Sequence, residues 1–126
     1  MPAYDASLFD PPAPLAMVTI RSPTTGVSVD NVAMLIDTGA DVTILPRAPV
    51  ERLVETAERV GRYELEGFDG TRSLASAVRL ELQFLGKVFR GQFLIVDGSH
   101  GILGRNVINS LSLIMDGPKL IWRETK

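Results

Sequence analysis

Met34-Leu35-Ile36-Asp37-Thr38-Gly39-Ala40-Asp41 is the stretch on which the reading of this chain turns. Three apolar residues end a strand, a carboxylate follows, and then come a hydroxyl and two small residues. A carboxylate delivered by an apolar strand sits at the margin of the core, where its charge has to be hydrogen-bonded, paired or shared. The small neighbours leave room for another backbone to approach it. Alone, Asp-Thr-Gly is also what an ordinary strand-to-turn junction looks like, because Asp and Gly are common turn residues. Its weight depends on its surroundings.

Upstream, LAMVTIR from Leu15, VSV from Val27 and VAMLID from Val32 are dense in β-branched residues, with Gly26 and Asn31 marking turns. VTIL follows Asp41 as a further strand. Pro49 then opens a helix predicted over 49–60, with Val50, Leu53, Val54, Ala57 and Val60 at helical spacing and Gly61 as its stop. From Arg62 the chain alternates apolar and polar residues through Leu74, Val78, Leu80, Leu82 and Phe84, and Gly67, Gly70 and Gly86 serve as hairpin or bulge points. Ile102-Leu103-Gly104 leads into a short helix at Arg105-Asn106-Val107-Ile108. Two closing strands, SLSLIMD and KLIWRE, meet at Asp116-Gly117-Pro118. Residues 1–14 hold four of the eight prolines and read as an extended arm, with the domain over 15–126. LIDTG at 35–39 has one internal echo, LIVDG at 94–98, which lacks a hydroxyl residue after its aspartate.

The fold class expected is mostly β with two short helices. At 126 residues the chain holds one core, and 45% hydrophobic residues suffice to build it. A net charge of -2 supplies no cationic field for a nucleic acid, and no apolar run reaches the roughly 18 residues of a membrane span. The absence of Cys removes thiol nucleophiles and Cys-based zinc sites. His100, the single histidine, has no second His for a metal site and reads as a loop residue. Gly98, Gly101 and Gly104 miss the dinucleotide-binding spacing, and Gly39 stands where a calcium loop would need an oxygen ligand. No metal or cofactor is expected. The N-terminus lacks the charged and continuous apolar regions of a secretory signal, so the cytoplasm is the expected location. So small a chain with so few catalytic residue types is either not an enzyme or shares a site with another chain.

Taken together, LIDTGADVTIL at 35–45, GFDG at 67–70, GILGRNVI at 101–108 and SLIMDGPKLIW at 112–122 resemble the retropepsin-like aspartic proteases, which include the retroviral proteases. The resemblance runs over about residues 15–124. It implies a closed β-barrel-like half-domain with a flap hairpin. It also implies a homodimeric endopeptidase acting on peptide or protein substrates, in which Asp37 from each chain forms one catalytic dyad holding a water. Two such close carboxylates share a proton and titrate as a unit, which favours activity at acidic pH.

By the same resemblance Thr38 locks the two active-site loops together and Gly39 keeps the approach open. Gly39, Ala40 and Asp41 contact substrate backbone, and Asp41 pairs with Arg105 beside Gly104. Gly67, Phe68, Asp69 and Gly70 form the flap, whose Asp69 is more polar than the tip common in retroviral members. The retroviral enzymes end after one strand, whereas this chain continues into KLIWRE. A hairpin from each subunit pairing across the axis would then replace the interleaved termini and leave residues 1–14 free. The alternative reading is a dimeric peptide-binding or regulatory module with the same fold and no cleavage; a third is a monomer whose half-site is inactive until it associates.

Overall fold

The structure, a computed structural model, describes residues 2–66, 70 and 72–125. Its strands are β1 (Tyr4–Asp5), β2 (Ala13–Arg21), β3 (Ser28–Ile36), β4 (Ile44–Pro46), β5 (Arg59–Glu66), β6 (Arg72–Phe84), β7 (Lys87–Val96), β8 (Gly101–Leu103), β9 (Leu113–Asp116) and β10 (Ile121–Glu124). Two helices, α1 (Arg47–Thr56) and α2 (Arg105–Ile108), interrupt them.

Eight strands form one sheet in the order β1-β2-β3-β8-β4-β7-β6-β5, and a further pairing of β2 with β6 closes it into a barrel. Closure depends on a bend in the sheet. Val18 faces Val32 while Ile20 faces Val29, so β3 carries one extra residue, and Asn31 takes a left-handed conformation there (φ 57°). This bulge increases the local twist, and Thr19, Ile20 and Arg21 pair on their other side with Gln83, Leu82 and Glu81. Asn31, read as a turn residue, instead bends a single continuous β3. The predicted hairpin at Gly86 is a two-residue turn, with Leu85 (φ 51°) and Gly86 (φ 76°) both in the positive-φ geometry that matches strand twist.

The alternation of β6 holds: Val78, Leu80, Leu82 and Phe84 are buried. They meet Ala16, Val18, Ile20, Met34, Ile36, Leu45, Ile95 and Leu103 in one core. Helix α1 covers one side of this core with Val50, Leu53 and Val54. It ends earlier than the spacing predicts, because Arg59 is already paired with Val78 and the Arg79 N–H donates to the Glu58 carbonyl (3.0 Å). Val60 and Gly61 therefore belong to β5.

At the barrel seam Arg21, Glu81 and Arg90 lie side by side on β2, β6 and β7. Each arginine is 2.6 Å from a different oxygen of Glu81, whose side chain is 8% exposed. The two charge-assisted hydrogen bonds, that of Arg21 foremost, hold the Glu81 carboxyl below its ordinary pKa.

The terminal segments pack together. Trp122 on β10 is buried, donates its indole N–H to the Leu15 carbonyl (3.0 Å) and lies against Phe84. Residues 2–5 are tied down within the stretch read as a free arm. Tyr4 and Asp5 pair with Pro14 and Ala13, the Tyr4 N–H reaches the Leu120 carbonyl (2.9 Å), and the Trp122 N–H reaches the Pro2 carbonyl (3.3 Å). Prolines are tolerated there because β1 and the start of β2 lie at a sheet edge. No described helix is long and apolar enough to cross a membrane.

Candidate active site

Strand β3 runs inside the sheet and pairs in parallel with β8, Ile36 opposite Leu103. The ladder extends one residue further, since the Asp37 N–H donates to the Leu103 carbonyl (3.1 Å). Asp37 thus leaves the sheet half-buried, with its backbone fixed. The chain then turns: the Ala40 N–H donates to the Asp37 carbonyl (3.2 Å), and the Gly39 N–H donates to Asp37 Oδ1 (2.8 Å). This Asx turn orients the carboxylate. A Cβ on Gly39 would lie 3.1 Å from Oδ1, so glycine keeps that side of the carboxylate open.

After the turn the chain enters β4, where Ile44 lies opposite Ile102. Strand β8 is thereby inserted between the two strands that flank the Asp37 turn. Its continuation locks the turn in place. The Arg105 N–H donates to the Ala40 carbonyl (2.8 Å), and the Arg105 guanidinium donates to the Thr38 carbonyl (2.8 Å). Gly104 passes so close to the turn that a Cβ there would sit 2.3 Å from the Val42 carbonyl oxygen. Its N–H donates to Thr43 Oγ1 (3.0 Å), and the buried Thr43 hydroxyl donates in turn to Asn106 Oδ1 (2.7 Å).

The structure therefore brings Asp37, Thr38, Gly39, Ala40, Gly104 and Arg105 into one assembly. It differs from the expected Asp41 to Arg105 pair: the guanidinium is directed to the Thr38 carbonyl, and exposed Asp41 is in no salt bridge among the described residues. Asp41 instead borders a cavity of about 360 Å³ that also touches Thr43, Glu64, Leu94 and Asn106. Thr43 and Asn106 were missed by sequence reasoning. The signal available was a hydroxyl two residues after Asp41 and an amide two residues after Gly104, which only the insertion of β8 brings together.

The β5–β6 hairpin is paired out to Glu66 opposite Arg72, with Arg72 3.3 Å from Glu64. Of the expected flap, Gly67, Phe68 and Asp69 lie outside the described residues, and Gly70 has positive φ (81°). A cavity of about 640 Å³ lies between the arm and Leu15, Met17, Phe84 and Trp122, and none of residues 37–43 lines it. Among the described residues no group of three or more His, Asp or Glu is arranged to hold a metal ion.

A closed barrel whose central aspartate turn is bracketed by β3, β8 and β4 defines the retropepsin-like class of aspartic protease. Comparison with known proteins agrees: the family described as aspartyl protease matches residues 18–107, and the chain belongs to that family. In fold it is similar to the EIAV protease complexed with the inhibitor HBY-793, with a TM-score of 0.56 at 24% identity, over 78% of this chain and 86% of that one. No curated protein matches significantly by sequence.

Proposed function

We propose that this chain is half of an aspartic endopeptidase, with two copies combining their Asp37 carboxylates around one water. The observation that carries the reading is the Asp37 turn. One carboxylate oxygen accepts from the Gly39 N–H, and the other accepts no hydrogen bond from the described residues. In the dimer one Asp37 is protonated and the other ionised, because two adjacent carboxylates resist carrying two charges. The ionised Asp37 takes a proton from the water, the water attacks the scissile carbonyl, and the protonated Asp37 hydrogen-bonds the developing oxyanion. The proton then passes to the leaving amine.

Thr38, exposed at the tip of the turn, is the residue expected to meet its counterpart across the axis. Exposed Asp41 and half-buried Ala40 are the residues expected to meet substrate backbone, with the β5–β6 hairpin closing over it. Arg105 and Gly104 act on the site indirectly, by holding the turn. Exposed Ile114, Met115 and Leu120 on the β9–β10 hairpin, and the free edge of β9 among the described strands, support a dimer contact through that hairpin.

The test is Asp37→Asn against wild type on a mixed peptide library across acidic and neutral pH, together with sedimentation over a range of concentration. Cleavage should vanish in the variant and should follow the dimer fraction in the wild type. Cleavage that survives the substitution overturns the assignment, and a dimer that binds peptide without cleaving it establishes the binding-module reading.

A further inference from the structure

The proposed function leaves unused the seven residues that join β1 to β2. Alternation along the strands shows which surface they cross. Met34 and Ile36 of β3 and Leu103 of β8 point into the core, and a Cβ on Gly101 would strike Met34. Leu35 and Asp37, with Ile102 opposite Leu35, therefore share the outer face, and His100 stands two residues before Ile102. The register Leu15 opposite Leu35 brings the start of β2 level with Asp37, and β3 lies between β2 and β8.

The connecting loop starts at Asp5 and returns at Ala13, yet its Phe9 ring packs edge-on against His100, with centroids 5.0 Å apart. To span from β2 to the loop before β8 it must cross the outer side of β3, the side that carries Asp37. Its departure is directed. Asp5 Oδ1 accepts from the Ser7 N–H (2.6 Å), the Ser7 hydroxyl (2.8 Å) and the Leu8 N–H (2.9 Å), a turn that fixes the path of the chain into Leu8 and Phe9. The Leu8 N–H and the Ser7 hydroxyl hold the Asp5 carboxyl below its ordinary pKa, so this turn persists in mild acid.

We infer that residues 6–12 are a built-in occupant of the substrate side of the site: Phe9 fills, against His100, a side-chain subsite that an aromatic or large apolar residue of a peptide substrate takes over. The inference rests on the endopeptidase reading for the word substrate, but its test reads binding. A T-shaped aromatic contact adds modestly to the burial of the ring, enough to seat the loop and weak enough for a peptide to displace it. If the strap is seated about nine-tenths of the time, it lowers the apparent affinity of the subsite about tenfold.

The experiment uses full-length chains carrying Asp37→Asn, so that no cleavage intrudes. The probe is a fluorescent peptide, DASLFDPPA, copied from residues 5–13, and the same peptide with Ala in place of its Phe. Adding Phe9→Ala to the chain should tighten binding of the Phe peptide about tenfold, and Phe9→Leu should give an intermediate gain, with the thermal midpoint lowered by only a few degrees as the seated strap is lost. The Ala peptide should bind weakly to all chains, and His100→Ala should abolish the gain. In the active enzyme the effect of Phe9→Ala should fall on KM rather than kcat. Equal binding by the Phe9 variants and their parent, or equal binding of the two peptides, overturns the inference. Absence of cleavage alone overturns only the endopeptidase reading.

Discussion

Two strands of this barrel run into an aspartate, β3 through Leu35-Ile36 and β7 through Leu94-Ile95-Val96, yet Asp37 and Asp97 are placed differently. Asp37 is half-buried, its N–H is held by Leu103 and its carboxylate by the Gly39 N–H. The Asp97 side chain is 95% exposed and, among the described residues, is held only by a 3.2 Å contact with Arg47. The glycines that follow also differ. A Cβ on Gly39 would lie a tight 3.1 Å from Asp37 Oδ1, whereas Gly98 has open surroundings and is favoured by its backbone, with a φ of 139°. Similar local sequence thus yields a braced carboxylate where a neighbouring strand and the start of a helix fold back on the turn, and a solvated one where they do not.

The strongest way to break this comparison is at Asp37. Asp37→Asn should lower peptide cleavage at least about a thousandfold, within the range that a lost acid–base group costs. Next is the bracing. Gly104→Ala forces a methyl group onto the Val42 carbonyl and should cost about 3 kcal/mol or prevent folding, read by denaturant titration. Thr43→Val leaves the Gly104 N–H without its acceptor and should cost about 2 kcal/mol in the same assay.

Glu81 sharpens the contrast as a carboxylate that is buried and fully paired. Its pKa is depressed in the folded chain, so its stabilising contribution is present above the ordinary carboxylate value and is lost only as pH falls through the lowered one. The thermal midpoint of Glu81→Gln should therefore lie below that of wild type at neutral and mildly acidic pH, and the two should converge in strong acid. The smallest effect belongs to Asp97→Asn, which removes an exposed ion pair worth under about 1 kcal/mol and should leave cleavage unchanged.

The legible part of the fold was local. The strand leading to Asp37, the alternation of β6, the turn at Gly86 and the apolar face of α1 all follow from periods of two or 3.6 residues and from turn chemistry. The end of α1 was not legible, because it is decided by a pairing with β6. Nor was the role of Asn31, whose positive φ serves a bulge that matters only when β2 must also reach β6. The same holds within the site. Asp37, Thr38 and Gly39 stand out as a motif, whereas the partner of the Arg105 guanidinium and the Thr43 to Asn106 bond depend on where α2 comes to rest.

The insertion of β8 between β3 and β4 also bears on the order in which the molecule assembles. Thr43 and Asn106 are 63 residues apart in the chain, so their bond forms only after most of the polypeptide is in place. Contacts of such long range are slow to form, and they join the site to the last elements to dock. The Asp37 amide should consequently exchange its hydrogen only through near-global unfolding, because releasing it requires β8 to leave the middle of the sheet. The candidate site is then as durable as the whole barrel, and it has no separate existence in a partly folded chain.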